Sequence, residues 1–167
     1  NGLNVGLMKE LGFTALKCDE QGQEIKAIDW SRTKAVANRG CHIYLNLKGR
    51  NPEGIVAPED QYEVEEEIMT ALYGYRHPDT GKRVIALALR NKDAVLLGLG
   101  GRESGDIVYF TAEGYNYDHT DALSTTYGIL DTSASPIFIA AGKGIKANHI
   151  TERYVREVDL APTVALL

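Results

Sequence analysis

The stretch Asp106-Ile107-Val108-Tyr109-Phe110 decides how this chain is expected to fold. Residues 107–110 are all apolar, so the segment has no polar face to turn toward water. Such a continuous apolar run is typical of a strand in the interior of a sheet, covered on both faces. Helical and strand-like runs alternate on both sides of it, and that alternation predicts an α/β fold.

The segment upstream contains the clearest helix signal in the sequence. Pro58 suits the first turn of a helix. After it, Val64, Ile68 and Leu72 recur every four residues and form an apolar stripe. The acidic residues 65–67 are interpreted as the solvent-exposed face of the same helix. This helix is therefore expected to pack one side against the sheet.

Shorter runs complete the elements that are predicted upstream. Residues 34–38, 42–47 and 84–89 are expected to form strands, because short runs rich in apolar residues are separated there by turn-forming residues. Residues 5–11 predict a short helix that stops at Gly12.

Downstream of residue 110, the sequence predicts one more strand and a closing helix. The apolar run 136–141 is expected to be a strand, and a glycine-containing turn is expected to follow at residues 142–146. A helix is expected to open at Asp159, and the sequence is still apolar at Leu167. Residues 142–147 also match the G-x-G-x-x-A pattern of dinucleotide-binding folds, but that pattern needs a helix that opens at the second glycine. A plain tight turn is the preferred interpretation.

Composition argues against several classes of function. The chain has 167 residues, a net charge of −5 and a pI of about 5.4. These values argue against binding to the phosphate backbone of a nucleic acid polymer. No apolar run approaches the ~18 residues of a membrane span. Cys18 and Cys41 lack the paired spacing of zinc or redox sites, so they are interpreted as reduced thiols. The sequence leaves the compartment open.

Lys48 and Arg50 are the candidates for binding a substrate. They follow the predicted strand 42–47 within Lys48-Gly49-Arg50, and arginine suits bidentate contact with a phosphate group. The pair could therefore hold an anionic oxygen, such as that of a small phosphate ester. The preferred interpretation from these residues is a solvated turn that holds no ligand.

His119 is the candidate metal ligand. It follows Asp118 in a polar segment just after the 106–110 strand, and ligand sites in α/β sheets collect at the C-terminal ends of strands. A carboxylate neighbour can also fix the tautomer of a metal-binding imidazole. The competing interpretation is a hydrogen-bonded structural or surface histidine. One imidazole does not make a metal site, so further ligands are expected elsewhere.

Several segments together resemble the C-terminal part of the alkaline phosphatase superfamily. They are Asp118-His119, residues 135–142 and residues 158–163. Residues 43–50 with 53–56 are similar to the middle segment of one branch, the type I phosphodiesterases and nucleotide pyrophosphatases. The resemblance extends from about residue 29 to Leu167.

The resemblance implies the C-terminal part of an alkaline-phosphatase-like sheet flanked by helices, with a small α+β insertion. It implies a metal-dependent phosphohydrolase or phosphodiesterase that uses divalent metal ions, zinc or manganese, with His119 as its late, solitary histidine ligand. The nucleophile and the remaining metal ligands would lie in an upstream half of the same polypeptide. Residues 1–167 are then expected to form a single domain that is inactive alone, with no catalytic residue of its own.

A different class of function also fits the sequence. A non-catalytic α/β module would bind a nucleotide or another phosphate ligand through residues 142–146 and 48–50, without a metal. The ligands distinguish the two hypotheses. Carboxylates and histidines around His119 favour the hydrolase, whereas phosphate against the backbone of the glycine turn favours the module.

Overall fold

The computed structural model describes residues 3–38, 40–112, 115, 138–153 and 157–167. The chain divides into two compact units, a first unit from Asn1 to Leu130 and a second unit from Asp131 to Leu167. The first unit contains the sheets and most of the described core.

The first unit is built on a five-stranded sheet in which every pairing is antiparallel. The strand order is β1-β4-β5-β7-β6, and β2 and β3 form a separate antiparallel pair. The strands are β1 (Leu3–Asn4), β2 (Leu16–Cys18), β3 (Glu24–Ile28), β4 (Ala35–Asn38), β5 (His42–Leu45), β6 (Ile85–Arg90) and β7 (Ile107–Thr111).

Strand β7 lies in the interior of this sheet, between β5 and β6. Ile107 pairs with Ile43 on one side, and Tyr109 pairs with Ala88 on the other. Ile107, Val108 and Tyr109 are all buried, although Val108 faces away from its two neighbours in the strand. The prediction of an interior strand covered on both faces is therefore confirmed.

Helix α2 (Gln61–Gly74) packs against β6 and follows a 3-10 turn at Pro58–Asp60. Its predicted stripe is confirmed, because Val64, Ile68 and Leu72 are buried in the core. The prediction for residues 65–67 is wrong at Glu65, which is buried, whereas the other two acidic residues are exposed. Position 65 borders the stripe, and a cationic partner from β6 makes its burial tolerable.

The remaining helices of the first unit are short. Helix α1 (Val5–Glu10) matches the predicted helix at residues 5–11, and α3 (Asn91–Ala94) leads into a 3-10 turn at Val95–Leu97. Strands and helices thus form a mixed α/β structure, which confirms the fold class in general terms. Both cysteines are free, as the sequence predicts for reduced thiols, with Cys18 exposed and Cys41 half-buried.

The second unit contains helix α4 (Leu160–Leu166), preceded by a 3-10 turn at Glu157–Asp159. The predicted strand at 136–141 is not formed over residues 138–141, where Phe138 and Ile139 are exposed. Residues 136–137 lie outside the described residues. An apolar run becomes a strand only where another strand accepts its backbone hydrogen bonds, and 138–141 have no such neighbour among the described residues. None of the described helices combines the length and hydropathy that crossing a bilayer requires.

Candidate functional site

A salt bridge between Arg50 and Asp106 joins two segments that are 56 residues apart in the sequence. Arg50 Nη1 and Nη2 donate to the two carboxylate oxygens of Asp106, each at 2.7 Å. The backbone N–H of Leu45 donates to the same carboxylate at 2.7 Å. The Asp106 side chain is 9% exposed, against 44% for Arg50. Arg50 therefore balances a carboxylate that the sheet has buried.

Arg50 has few hydrogen-bond donors left for a ligand. Besides Asp106, its guanidinium donates to the backbone oxygen of Leu45 and to Asn51 Oδ1. The hydrogen bond to Asp106 raises the pKa of Arg50, and the negative charge of Asp106 acts in the same direction, while burial opposes both. The cation is therefore permanent in the folded chain, and most of its directional bonding is satisfied internally.

Asn46 fixes the same loop from its other side. This side chain is 2% exposed. Its Nδ2 group lies 3.0 Å from each of three backbone carbonyl oxygens, those of Trp30, Thr33 and Glu53. At Gly54 a Cβ atom would lie 2.1 Å from the backbone oxygen of Leu47, so only glycine fits there. The segment 43–56 thus has a clear structural role.

A cleft of about 770 Å³ opens beside the salt bridge, within the first unit. It lies where β6 passes into α3, opposite the first turn of α2 and the loop 101–106. Most of the side chains that line it are charged or polar. All the side chains that line the cleft are those of Arg50, Pro58, Glu59, Gln61, Tyr62, Glu65, Arg90, Asn91, Lys92, Arg102, Ser104 and Asp106.

Arg90 lines one side of this cleft. Its Nε donates to Glu65 Oε2 at 3.1 Å, and its Nη2 donates to Glu66 Oε2 at 2.6 Å. Its guanidinium carbon lies 3.8 Å from the centroid of the Tyr62 ring. Burial lowers the pKa of Arg90, but the hydrogen bond to Glu66 and the surrounding negative charge outweigh burial and raise it. Arg90 is held in place by two carboxylates and one aromatic ring.

Asn91 holds the loop that forms the opposite side. Its Nδ2 donates to the backbone oxygens of Gly101 at 2.9 Å and Gly105 at 2.8 Å, and the Gly101 N–H donates to Asn91 Oδ1 at 3.0 Å. Arg102 on this loop and Lys92 next to Asn91 are both exposed. Neither forms a salt bridge with any carboxylate of the described residues. These two cations are therefore free to contact an anion.

The structure separates the site residues that the sequence predicts. Arg50 lines the cleft, but its main partner is Asp106, which neither interpretation of Lys48 and Arg50 anticipated. Lys48 is exposed and does not line the cleft. His119 lies outside the described residues. Substrate binding by Lys48 and Arg50, and metal binding by His119, stay predictions.

The glycine segment belongs to the second unit and forms a turn. The Ile145 N–H donates to the backbone oxygen of Gly142 at 3.1 Å, and Gly144 has a φ of 82°. No helix opens at Gly144 within the described residues 138–153, so the dinucleotide fingerprint lacks the element it needs. The plain tight turn is confirmed.

The described residues do not by themselves fit a metal centre. Within the ranges that the structure describes, no three histidine, cysteine, aspartate or glutamate side chains cluster as a metal would require. The carboxylates nearest the cleft floor already face arginine, as the Arg50–Asp106 and Arg90–Glu65 pairs show.

Sequence reasoning missed the cationic side of the cleft. Arg90, Lys92 and Arg102 carry no recognisable spacing, and Tyr62 reads as an ordinary exposed residue of a helix. One signal was available: Arg90-Asn91-Lys92 directly follows a predicted strand, the kind of position where binding residues collect. The contribution of Arg102 depends on how Asn91 folds the loop and had no signal in the sequence.

Comparisons with known proteins leave functional inference to the residues themselves. No protein family, no curated protein and no solved structure matches the chain.

Proposed function

We propose that this chain is the C-terminal part of a metal-dependent phosphohydrolase or phosphodiesterase of the alkaline phosphatase superfamily, similar to nucleotide pyrophosphatases. One observation carries the proposal. Residues 43–50 and 53–56, Asp118-His119, residues 135–142 and residues 158–163 resemble segments of the family. These segments support the proposal as a set.

Three residues in the segments 43–50 and 53–56 have structural roles that restrict which residue type can stand at their positions. Asn46, Arg50 and Gly54 each occupy a position where another residue type would lose several contacts or clash. Such positions restrict a sequence because of the fold, not because of the chemistry. The middle segment therefore supports the proposed fold relationship more than it supports a particular reaction.

In this proposal His119 is one ligand of a divalent metal site, with zinc or manganese as the metal. When bound, the metals would polarise a phosphate ester and activate the attacking group. The described residues contribute no cluster of ligands. The other ligands and the nucleophile are assigned to the upstream half of the same polypeptide.

We expect the isolated chain to be inactive on phosphate esters. A two-metal site holds its cations about 4 Å apart with a full ligand set, which one imidazole cannot replace. Turnover of p-nitrophenyl phosphate and bis-p-nitrophenyl phosphate, with added zinc or manganese, measures this directly. Turnover by the chain alone that survives repurification and disappears with chelator would contradict the proposed division of the site.

In the complete protein, His119→Ala should lower the same activity by more than the ~10–100-fold that is typical when a side chain that hydrogen-bonds to a metal ligand is lost. Circular dichroism should show an unchanged fold. His149→Ala is the matched control, because His149 is an exposed histidine of the second unit. Equal activity of the two variants and the unsubstituted protein would remove His119 from the site and with it the proposed metal ligand.

A further inference from the structure

We propose that the cleft of the first unit is a binding site for a nucleoside monophosphate. In this site Arg102 and Lys92 contact the phosphate, and Tyr62 stacks on the base. The proposal goes beyond the proposed hydrolase function, because it needs no metal and its three ligand contacts lie outside the segments that resemble the phosphohydrolases. It assigns binding to residues that sequence reasoning did not select.

The charge of the cleft favours an anion. Its lining contains four cationic residues (Arg50, Arg90, Lys92 and Arg102) and three acidic ones (Glu59, Glu65 and Asp106), and Glu66 pairs with Arg90 beside this lining. The chain as a whole carries −5. The positive charge open to an anionic ligand therefore comes from Lys92 and Arg102, which no carboxylate of the described residues neutralises.

The cations of the cleft divide into two kinds. Arg50 and Arg90 are bound to buried carboxylates, Asp106 and Glu65. Lys92 and Arg102 are exposed and have no carboxylate partner among the described residues. Arg50 and Arg90 therefore shape the cleft, and the other pair is available to donate to phosphate oxygens.

The aromatic ring in the cleft favours a ligand with a flat, apolar part. Tyr62 is 61% exposed although it lines a concave surface. The guanidinium of Arg90 covers part of one face at 3.8 Å, and Lys92 Nζ lies 5.7 Å from the ring centroid. Bases stack on such rings regardless of their identity, and a stacked arginine adds to the interaction.

The site is preorganised, which reduces the cost of binding. Glu65 and Glu66 fix Arg90 behind the Tyr62 ring, and Asn91 fixes the loop that carries Arg102. The cleft volume of about 770 Å³ lies within the range typical of small-ligand sites. A nucleoside monophosphate fits both its size and its combination of charge and aromatic surface.

Calorimetric titration of the chain with AMP, in buffer that contains chelator, tests the proposal. We expect saturable binding that falls by about tenfold or more in the double variant Lys92→Ala/Arg102→Ala, because each removes a charged hydrogen bond. The matched control is Lys17→Ala/Lys26→Ala, which removes the same charge from exposed positions on β2 and β3. We expect this control to bind AMP like the unsubstituted chain.

A second arm separates the base from the phosphate. Tyr62→Leu should weaken binding of AMP and leave binding of inorganic phosphate unchanged. Absence of saturable binding up to about 5 mM AMP would overturn the proposal, since that concentration covers weak small-ligand affinities. Equal losses of AMP affinity in the two double variants would overturn the proposal as well. Unchanged AMP affinity in Tyr62→Leu would show that the base does not stack on Tyr62, and the assignment of a nucleotide would be wrong. The chelator keeps these outcomes independent of any metal-dependent activity.

Discussion

Two arginines line the same cleft and differ in what surrounds them. Arg50 makes two hydrogen bonds to the buried carboxylate of Asp106, one to the backbone oxygen of Leu45 at the end of β5, and one to Asn51 Oδ1 in its own loop. Arg102 is exposed on a loop that Asn91 holds, with no carboxylate partner among the described residues. From sequence alone Arg50 is the better candidate for phosphate binding. The structure shows that its hydrogen bonds are used to hold the loop after β5.

The role of a cation in this cleft, in stability or in ligand binding, therefore depends on its partners. Its residue type and its position after a strand do not decide that role. A cation that neutralises a buried carboxylate is needed for stability, because removing it leaves that charge unpaired. A cation without an internal partner costs nothing to the fold when it is removed. Stability and ligand affinity should therefore respond to different residues of the same cleft.

The largest expected effect is that of Arg50→Ala on stability. Asp106 would keep only the Leu45 N–H as a donor, and its carboxylate is almost fully buried. Removal of one partner of a fully buried ion pair typically costs about 3 kcal/mol or more. Because the Arg50 side chain is 44% exposed, water would reach part of this site, and we expect a loss of about 2–3 kcal/mol. Urea unfolding followed by circular dichroism should report that loss as a lower midpoint with an unchanged slope.

Lys48→Ala is the matched control for this prediction, because Lys48 is exposed and belongs to the same loop. Its effect should stay within about 0.5 kcal/mol. If both variants unfold at the same urea concentration, the Arg50–Asp106 pair does not stabilise the fold. The claim that Arg50 serves stability, in contrast to Arg102, would then be wrong.

A smaller effect is expected from two adjacent glutamates that contact the same arginine. Glu65 is buried and accepts hydrogen bonds from Arg90 and Gln61, whereas Glu66 is exposed and accepts from Arg90 alone. Glu65→Ala should cost about 2 kcal/mol, because it leaves donors unpaired in a buried site. Glu66→Ala should cost less than about 0.5 kcal/mol. A reversed order in urea unfolding would show that burial does not set the value of these contacts.

The smallest effect concerns the two thiols and is a matter of rate. Cys18 is exposed, whereas Cys41 is half-buried, and burial raises the pKa of its thiol. Less thiolate is then present at neutral pH, so alkylation by iodoacetamide should be slower at Cys41 than at Cys18. Peptide mass spectrometry at successive times measures both rates in one sample. Faster modification of Cys41 would contradict the burial that the structure assigns to it.

Local pattern predicts the elements of the first unit well. The spacing of Val64, Ile68 and Leu72 predicts helix α2, and the apolar run 107–110 predicts the interior strand β7. Both signals are periodicities within one element, so they do not depend on distant residues. Glu65 was open to the same reasoning, because positions 65, 68 and 72 also share one side of a helix.

Pairings between distant residues set the limit of that reasoning. The partner of Arg50 is Asp106, and nothing near either residue indicates the other. The loop that presents Arg102 depends on hydrogen bonds from Asn91, ten or more residues upstream of the atoms it binds. The apolar run 136–141 shows that local composition alone does not predict a strand. Residues 138–141 have the composition of a strand, but no described strand pairs with them.

Side-by-side measurement of unfolding and AMP affinity in Arg50→Ala and Arg102→Ala tests the central contrast most directly. The account predicts a lowered urea midpoint for Arg50→Ala. For Arg102→Ala it predicts an unchanged midpoint together with AMP affinity reduced by about tenfold. The contrast would be contradicted if Arg102→Ala were destabilised and still bound AMP as tightly as the unsubstituted chain, while Arg50→Ala kept an unchanged stability.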